Sequence, residues 1–430
     1  MRHSKTLFRS SLVITAAVAV ALTLAPSNRC RLTTSELYAK TFDHHWERLR
    51  DDYPYFELYD VDWDQERAEH RPRALAAENA DEFAWELARM LSVLTDPHVS
   101  FIPSMDTIKG RWSIPDLETE MIERRFYVMD WPEIPESFID DPYAYPEIVR
   151  VQGEPIGGTA EILAGGPLGS TFEVSLRWPD GSETDHPLRR PDTSNLPPPK
   201  KHFGETWLVT GRVGSIGYMG VKTFDPSLGT LGPDGKMTTM LRAALAELHD
   251  TKGLILDFQG NGGGQVAASD PFLGNLLERS QSYQWGNSNG QSRVITPRKP
   301  RYGGKIVAIV DEHSASGGEW APRILRDAGR ATVIGGTTVG AEAAVLTSTG
   351  PDGSVVHFSG WPMVEPGVMP FQGTGIELDH TLPLTIEAVR EHGFDGASDR
   401  VRRARFAKAL ELLGAPKGDL DAFVRLADEE

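Results

Sequence analysis

Two polar turns in this 430-residue chain carry residues that could do nucleophilic chemistry. One turn has the sequence EHSASGGE at residues 312–319, between a predicted strand at 306–310 and a predicted helix from about Gly318 to Ala328. A serine in a strand-to-helix turn is open to a substrate, and the amides beside it lie near the positive end of the helix dipole. Ser316 is therefore a candidate nucleophile. On the residues alone, ordinary capping of the helix is the alternative.

The other turn, QGNGGG at residues 259–264, follows a predicted buried strand at 254–258. Its glycine spacing fits neither the dinucleotide-binding fingerprint nor the P-loop, and no lysine follows the glycines. The run is either a tight turn or a place where bare backbone N–H groups approach a ligand or a developing oxyanion.

Four motifs resemble those of the tail-specific (C-terminal processing) serine peptidases and occur in that family's order. They are LILDFQGNGG at 254–263, SASGGE at 314–319, GRATVIG at 329–335 and QGTGIELD at 372–379. The segment LTDPH at 94–98 resembles the N-terminal part of the branch that includes the tricorn protease core. The resemblance implies a layered crotonase/ClpP-like α/β catalytic core, hydrolysis of peptides or unfolded protein C-termini, and no cofactor.

Carried over residue by residue, the family's nucleophile falls on Ser316 and its oxyanion donors on the N–H groups of Gly317 and Gly263. Members with a Ser–Lys dyad have a lysine where this chain has Ala341, so that dyad is excluded. The tricorn-like branch uses a histidine that matches His98, and a neutral imidazole is a suitable base near pH 7.

This chain departs from the family's pattern at the residues that would orient His98. Gln372 occupies the position of the tricorn-type glutamate, Pro97 replaces the small residue before the histidine, and Glu342 is a nearby substitute in sequence. Two alternatives therefore stay open: a catalytically silent relative that binds peptides or other ligands in the same cleft, and an acyl-transfer enzyme acting on non-peptide esters.

The elements that must position these residues divide the chain into four regions after the N-terminal segment. Helical spacing of apolar residues from Thr33 to about Ser104 predicts a helical domain over 31–110. Alternating residues and hairpin turns predict a small β-rich module at 111–200, which resembles a degenerate PDZ domain and ends in a proline-rich linker. Alternating strands and helices predict the α/β core at 205–385, and a helical tail follows at 386–430.

Composition narrows the function classes. The chain is 40% hydrophobic, has 44 Lys+Arg against 61 Asp+Glu for a net charge of −17, and contains one cysteine. These figures exclude a disordered chain and a disulfide scaffold. Without a lysine- or arginine-rich run, a nucleic-acid partner is not expected. The adjacent His44 and His45 point to different helix faces, so no metal site is expected either. The oligomeric state is not predicted.

The first residues have the pattern of a secretory signal peptide. Basic residues precede an apolar stretch at 12–25, and small residues follow at 25–27. We expect residues 1–27 to be removed on export to the periplasm, cell envelope or extracellular space, leaving a charge of −20. An uncleaved N-terminal anchor is the alternative and would be the only link to a membrane. Cys30 lies outside every motif, and Arg29 before it argues against lipidation.

Overall fold

A computed structural model describes residues 33–104, 112–113, 117–130, 141, 143–156, 165–190, 207–225, 235–284, 292–363 and 370–428. The predicted leader at 1–27 and the proline-rich linker at 196–200 lie outside these ranges. Within them, no helix is both long and apolar enough to cross a membrane.

The helices of the described ranges are α1 (Thr34–Asp52), α2 (Trp63–Ala76), α3 (Ala80–Ser92), α4 (Lys236–Leu248), α5 (Val266–Gly274), α6 (Gly317–Asp327), α7 (Ile386–His392), α8 (Phe394–Leu413) and α9 (Leu420–Ala427). The strands are β1 (Ser100–Ile102), β2 (Trp112–Ser113), β3 (Glu118–Ile122), β4 (Arg125–Asp130), β5 (Glu147–Val151), β6 (Glu154–Pro155), β7 (Gly166–Pro167), β8 (Thr171–Arg177), β9 (Glu183–Arg189), β10 (Leu208–Val213), β11 (Ile216–Val221), β12 (Gly253–Asp257), β13 (Gln281–Gln284), β14 (Ser292–Ile295), β15 (Lys305–Val310), β16 (Ala331–Gly335), β17 (Ala344–Thr349), β18 (Val355–Trp361) and β19 (His380–Thr381).

The α/β core is built on a sheet with the strand order β10-β11-β12-β15-β16-β19. β10 and β11 form an antiparallel hairpin, and the remaining neighbours are parallel. The sheet is covered on both faces, so β12 and β15 are apolar runs without alternation. Because the carboxyl ends of parallel strands meet at one edge, the turns after β12, β15 and β16 lie together.

Helices cover the two faces of this sheet, and successive strand residues enter opposite layers. On one face, Leu254 and Leu256 pack in a cluster with residues of α4, α5 and α6, including Leu245, Phe272 and Trp320. On the other face, Ile255 packs in a cluster with residues of α8 and α9, including Phe406 and Phe423. The helical tail predicted at 386–430 is therefore one layer of the core.

The N-terminal helices end earlier than the apolar spacing predicts. α3 ends at Ser92, and residues 100–102 form strand β1 instead of continuing the helical pattern to about Ser104. β1 pairs with β18, which pairs with β17, so the N-terminal region and the core share a three-stranded sheet. Phe101 and Ile102 favour a strand once this partner is available.

The region predicted to be β-rich forms a sheet in the order β3-β4-β5-β8-β9, with β6 paired to β5. Its apolar residues form a separate cluster that includes Val128, Val174 and Leu176. The likeness of this module to a PDZ domain stays a prediction.

Candidate active site

A network of hydrogen bonds fixes the turn between β15 and α6. Asp311 accepts the N–H of Gly260 at 3.0 Å, which ties this turn to the glycine-rich turn after β12. The Ser314 hydroxyl donates to the Phe258 carbonyl at 2.9 Å and accepts the Asp311 N–H at 3.0 Å. Burial favours the neutral acid, but His313 and the N–H donor more than offset it and lower the pKa of Asp311 to about 2.

Ser316 is the N-cap residue of α6 and has a strained backbone, with φ 50° and ψ −117°. This conformation is sparsely populated by residues other than glycine and typically costs about 1–3 kcal/mol. Strain of this kind is concentrated at functional sites, and here it falls on the predicted nucleophile. Ser316 is partly exposed, whereas Ala315 and Gly317 on either side are buried.

The Glu319 carboxylate, one turn along α6, holds the Ser316 backbone in place. Glu319 is fully buried and accepts three N–H donors: Ser316 at 2.9 Å, Gly340 at 2.6 Å and Ala341 at 2.8 Å. Burial raises the pKa of Glu319 to about 7, against the lowering effect of its hydrogen-bond donors, of which Thr338 is the strongest. The nucleophile turn and the loop after β16 are thus bound to one carboxyl group.

The glycine-rich turn lies directly against Ser316. A Cβ atom added to Gly263, which has φ 102°, would come within 2.8 Å of Ser316 Cβ and 2.9 Å of the Gly317 nitrogen. The turn must therefore have glycine here for close approach as well as for backbone conformation.

The amide of Gly263, predicted to be an oxyanion donor, is already engaged in this structure. Its N–H donates to Asn261 Oδ1 at 2.8 Å. Among the described residues, the neighbouring N–H of Gly264 and that of Gly317 donate no hydrogen bond. The Gly264 nitrogen lies 3.5 Å from the position that a Cβ on Gly317 would take, so these two amides are close together.

Asn261 organises the glycine-rich turn. It is fully buried, and its Nδ2 donates to the Val221 carbonyl at 2.8 Å. The backbone carbonyl of Asn261 accepts the Ala315 N–H at 2.9 Å. Asn261 therefore connects β11, the glycine-rich turn and the residue before Ser316.

His98 lies in the segment between α3 and β1 and is 5% exposed. The backbone N–H of His98 donates to Asp96 Oδ1 at 2.8 Å. The ring nitrogen Nδ1 lies 3.3 Å from the Ser359 hydroxyl on β18. Burial lowers the pKa of His98, although the nearby Asp96 carboxylate opposes this shift, and the neutral imidazole required of a base is favoured.

The loop after β16 connects the surroundings of Ser316 and His98. Ala341 packs in a small apolar cluster with Ala315. Two residues further on, Ala343 packs in a cluster with Val99 and Phe358, the chain neighbours of His98 and Ser359. One short segment thus contributes residues to the apolar cluster of the nucleophile turn and to that of the histidine segment.

The polar atoms of Gln372 and Glu342 bond to groups other than the His98 ring. Gln372 Oε1 accepts the Glu342 N–H at 2.9 Å, and its Nε2 donates to the Tyr59 hydroxyl at 3.2 Å. Glu342 Oε2 accepts the Gln372 N–H at 3.3 Å, and Oε1 lies 3.7 Å from an Arg323 nitrogen. Burial raises the pKa of Glu342 to about 7. Within the described part of the chain, neither side chain hydrogen-bonds to the imidazole.

The hairpin of β3 and β4 reaches the nucleophile turn from the β-rich module. His313 Nε2 lies 2.8 Å from Glu120 Oε2, and Arg124 at the hairpin turn donates to the Thr338 carbonyl at 3.3 Å. Although burial opposes protonation, Asp311 and Glu120 raise the pKa of His313 well above its usual value. His313 is therefore a cation held by two carboxylates, which suits an ion pair rather than a general base.

Three residues of this site were not assigned a role from the sequence: Asn261, Glu319 and Ser359. Asn261 and Glu319 lie inside two of the family-like motifs, so their positions could have marked them as site residues. The hydrogen bonds that they make could not be read from the sequence. Ser359 lies in no motif, and only the pairing of β1 with β18 brings it to His98. Among the described residues, no group of histidine, cysteine, aspartate or glutamate side chains could hold a metal ion.

Comparisons with known proteins agree with this fold. Residues 215–382 match the model of peptidase family S41, and residues 35–92 match that of the tricorn protease C1 domain. These two matches support assignment of the chain to the tail-specific (C-terminal processing) serine peptidase family, on the side of the tricorn protease core.

Among individual relatives, the carboxy-terminal processing protease CtpB of Bacillus subtilis (strain 168) is 26% identical over 167 residues. That match covers 38% of this chain and 33% of CtpB, so the chain spans about a third of the length of this curated relative. The structure of mature CPAF is 14% identical with a TM-score of 0.59, covering 88% of this chain and 98% of that one, and this likeness shows the fold. The photosystem II D1 C-terminal processing protease is 20% identical with a TM-score of 0.49, covering 85% of this chain and 99% of that one.

Proposed function

We propose that this protein is a serine endopeptidase in which Ser316 is the nucleophile and His98 is the general base. The observation that carries the proposal is the strained backbone of Ser316 at the start of α6, held against the glycine-rich turn. A strained serine between a strand and a helix presents its hydroxyl to a substrate and places free amides beside it.

In the proposed reaction, Ser316 Oγ attacks a peptide carbonyl while His98 accepts the hydroxyl proton. The same proton passes to the leaving amine when the C–N bond breaks. A water molecule, deprotonated by His98, then attacks the acyl-enzyme carbonyl. His98 returns this proton to Ser316 Oγ as the acyl C–O bond breaks and the carboxylic acid product leaves. The Gly317 N–H supplies one oxyanion donor. We assign the second to Gly264 rather than Gly263, because the Gly263 N–H is already bonded to Asn261.

The substrates we propose are peptides and unfolded protein C-termini, bound in an extended conformation between the β-rich module and the core. Exposed strand edges bind extended chains by main-chain hydrogen bonding, with side-chain pockets providing selectivity. The family assignment supports this substrate class. We further propose that the protein is exported, which the leader-like pattern of residues 1–27 supports. N-terminal sequencing of protein recovered from the cell envelope and medium would reveal whether processing occurs near residue 27.

The test combines a serine-directed fluorophosphonate probe with cleavage of an unfolded polypeptide such as reduced casein. We expect Ser316→Ala to abolish both reactions and His98→Gln to slow both at least 100-fold. Ser282→Ala, which changes an exposed serine on β13, and His357→Gln, which changes a buried histidine on β18, are the matched controls. Cleavage by Ser316→Ala at the wild-type rate would refute the assignment.

A catalytically silent, peptide-binding relative is the second candidate, because Ala341 replaces the family lysine and is packed among apolar residues. Folded protein that binds unfolded polypeptide but is not labelled by the probe would favour this function. An esterase would instead be labelled at Ser316 and would cleave activated esters but not casein.

A further inference from the structure

The imidazole of His98 has one polar partner in the described part of the chain. Its Nδ1 lies 3.3 Å from the Ser359 hydroxyl, and its Nε2 makes no hydrogen bond to these residues. Asp96, two residues earlier, contacts the His98 backbone rather than the ring. The ring orientation therefore depends on packing and on Ser359.

The position of Ser359 is set by strand register. β1 pairs with β18 in antiparallel register, with Ser100 opposite His357 and Phe101 opposite Val356. Continuing this register two residues before the start of β1 puts His98 opposite Ser359. On its other side, Ser359 is paired with Val345 of β17. Ser359 is fully buried in this central strand, so its hydroxyl has little freedom to move away from the ring.

We propose that Ser359 is the positioning residue for His98, in the role that the family resemblance suggests for Gln372 and for which Glu342 is a nearby substitute in sequence. The Nδ1–H of the neutral ring donates to Ser359 Oγ, which leaves Nε2 unprotonated as the atom that accepts the Ser316 proton. When Nε2 is protonated, Nδ1 keeps its proton and its bond to Ser359. A hydroxyl stabilises the resulting imidazolium less than a carboxylate would, because it carries no charge. This inference rests on the proposed function only where it concerns rate, since the tautomer of His98 can be measured in protein of any activity.

The kinetic test compares Ser359→Ala and Ser359→Thr with wild type. We expect Ser359→Ala to lower kcat roughly 10- to 100-fold with KM nearly unchanged. An imidazole with its proton on Nε2 cannot accept the Ser316 proton there, whereas substrate binding does not depend on the tautomer. Ser359→Thr keeps the hydroxyl and should recover most of the rate. Ser348→Ala is the matched control, since Ser348, on β17 of the same sheet, makes the same kind of bond, 2.8 Å long, to Nδ1 of the buried His45 of α1.

The second readout is the tautomer of His98, from ¹⁵N NMR of histidine-labelled protein with the signal assigned by His98→Gln. Wild type should hold the proton on Nδ1, and Ser359→Ala should shift the population toward Nε2–H, whereas Ser348→Ala should leave the His98 signal unchanged. An Nε2–H tautomer in wild type, or an unchanged His98 signal and kcat in Ser359→Ala, would overturn the inference. If wild type neither cleaves nor reacts with the probe, the proposed function fails while the tautomer measurement still decides the role of Ser359.

Discussion

The backbone N–H of Ser316 donates a 2.9 Å hydrogen bond to Glu319 Oε2. The same carboxylate oxygen accepts the N–H of Ala341, the residue at the position of the family lysine, at 2.8 Å. The strained nucleophile and the altered base position are therefore held by one buried side chain.

The backbone strain at Ser316 should be measurable as a difference in the free energy of unfolding between two variants. Glycine adopts φ 50° without a Cβ penalty, whereas alanine keeps the penalty, and both remove the hydroxyl. We expect Ser316→Gly to have a free energy of unfolding about 1 kcal/mol higher than Ser316→Ala in urea titrations. Equal stability of the two variants, or a more stable alanine variant, would contradict strain at this residue.

The buried carboxyls should make stability depend on pH. Burial raises the pKa of both Glu319 and Glu342 from 4.5 to about 7. Between these values the folded protein keeps protons that the unfolded chain releases. The contribution of each of these two carboxyls to the free energy of unfolding therefore falls as pH rises from about 4.5 to 7, on the order of 3 kcal/mol for one such group.

Urea titrations across that pH interval would test this dependence. Glu342→Gln should make the fall in unfolding free energy shallower, and Glu377→Gln, which changes an exposed side chain, should not. An identical pH slope in wild type and Glu342→Gln would disprove the contribution of Glu342.

Loss of the Asn261 side chain should damage both stability and reactivity. Asn261→Ala would leave the Val221 carbonyl and the Gly263 N–H without their present partner, which costs about 2–4 kcal/mol in total. We also expect slower fluorophosphonate labelling, because Asn261 shapes the turn beside Ser316. Asn275→Ala, which removes a bond from another buried asparagine side chain to the Pro300 carbonyl, should lower stability without slowing the labelling of folded protein. Equal effects of the two variants on labelling would argue against a specific role for Asn261.

Restoring the family lysine at position 341 should not restore a Ser–Lys dyad. Ala341 is 2% exposed and packs with Ala315 and Val339, with Met121 of β3 against them. Ala341→Lys should overpack this cluster and lower the free energy of unfolding by about 1–3 kcal/mol, with no gain in cleavage rate.

Adding Met121→Ala should relieve part of the overpacking, and Val345→Lys on the exposed face of β17 is the surface control. A stable Ala341→Lys protein with faster cleavage would show that the site accepts the dyad.

The order and spacing of the residues predicted more about the fold and the site than the overall composition did. Buried-strand patterns at 254–258 and 306–310 predicted the centre of the core sheet, and the turns after those strands contain Gly263, Ser316 and Gly317. Apolar periodicity and turn chemistry act over a few residues, so a sequence displays them directly. Ala341 likewise excluded the Ser–Lys dyad without any structure.

Tertiary structure decided the contacts between residues far apart in sequence. The early end of α3 and the strand at 100–102 depend on β18, more than 250 residues later, and so does the approach of Ser359 to His98. Hydrogen-bond competition in the packed site likewise engaged Gln372 with Glu342 and Tyr59. Motif spacing reveals which residue types are available for chemistry. Register and burial then determine which polar atoms meet, because each donor and acceptor pairs with whatever partner the fold brings within about 3 Å.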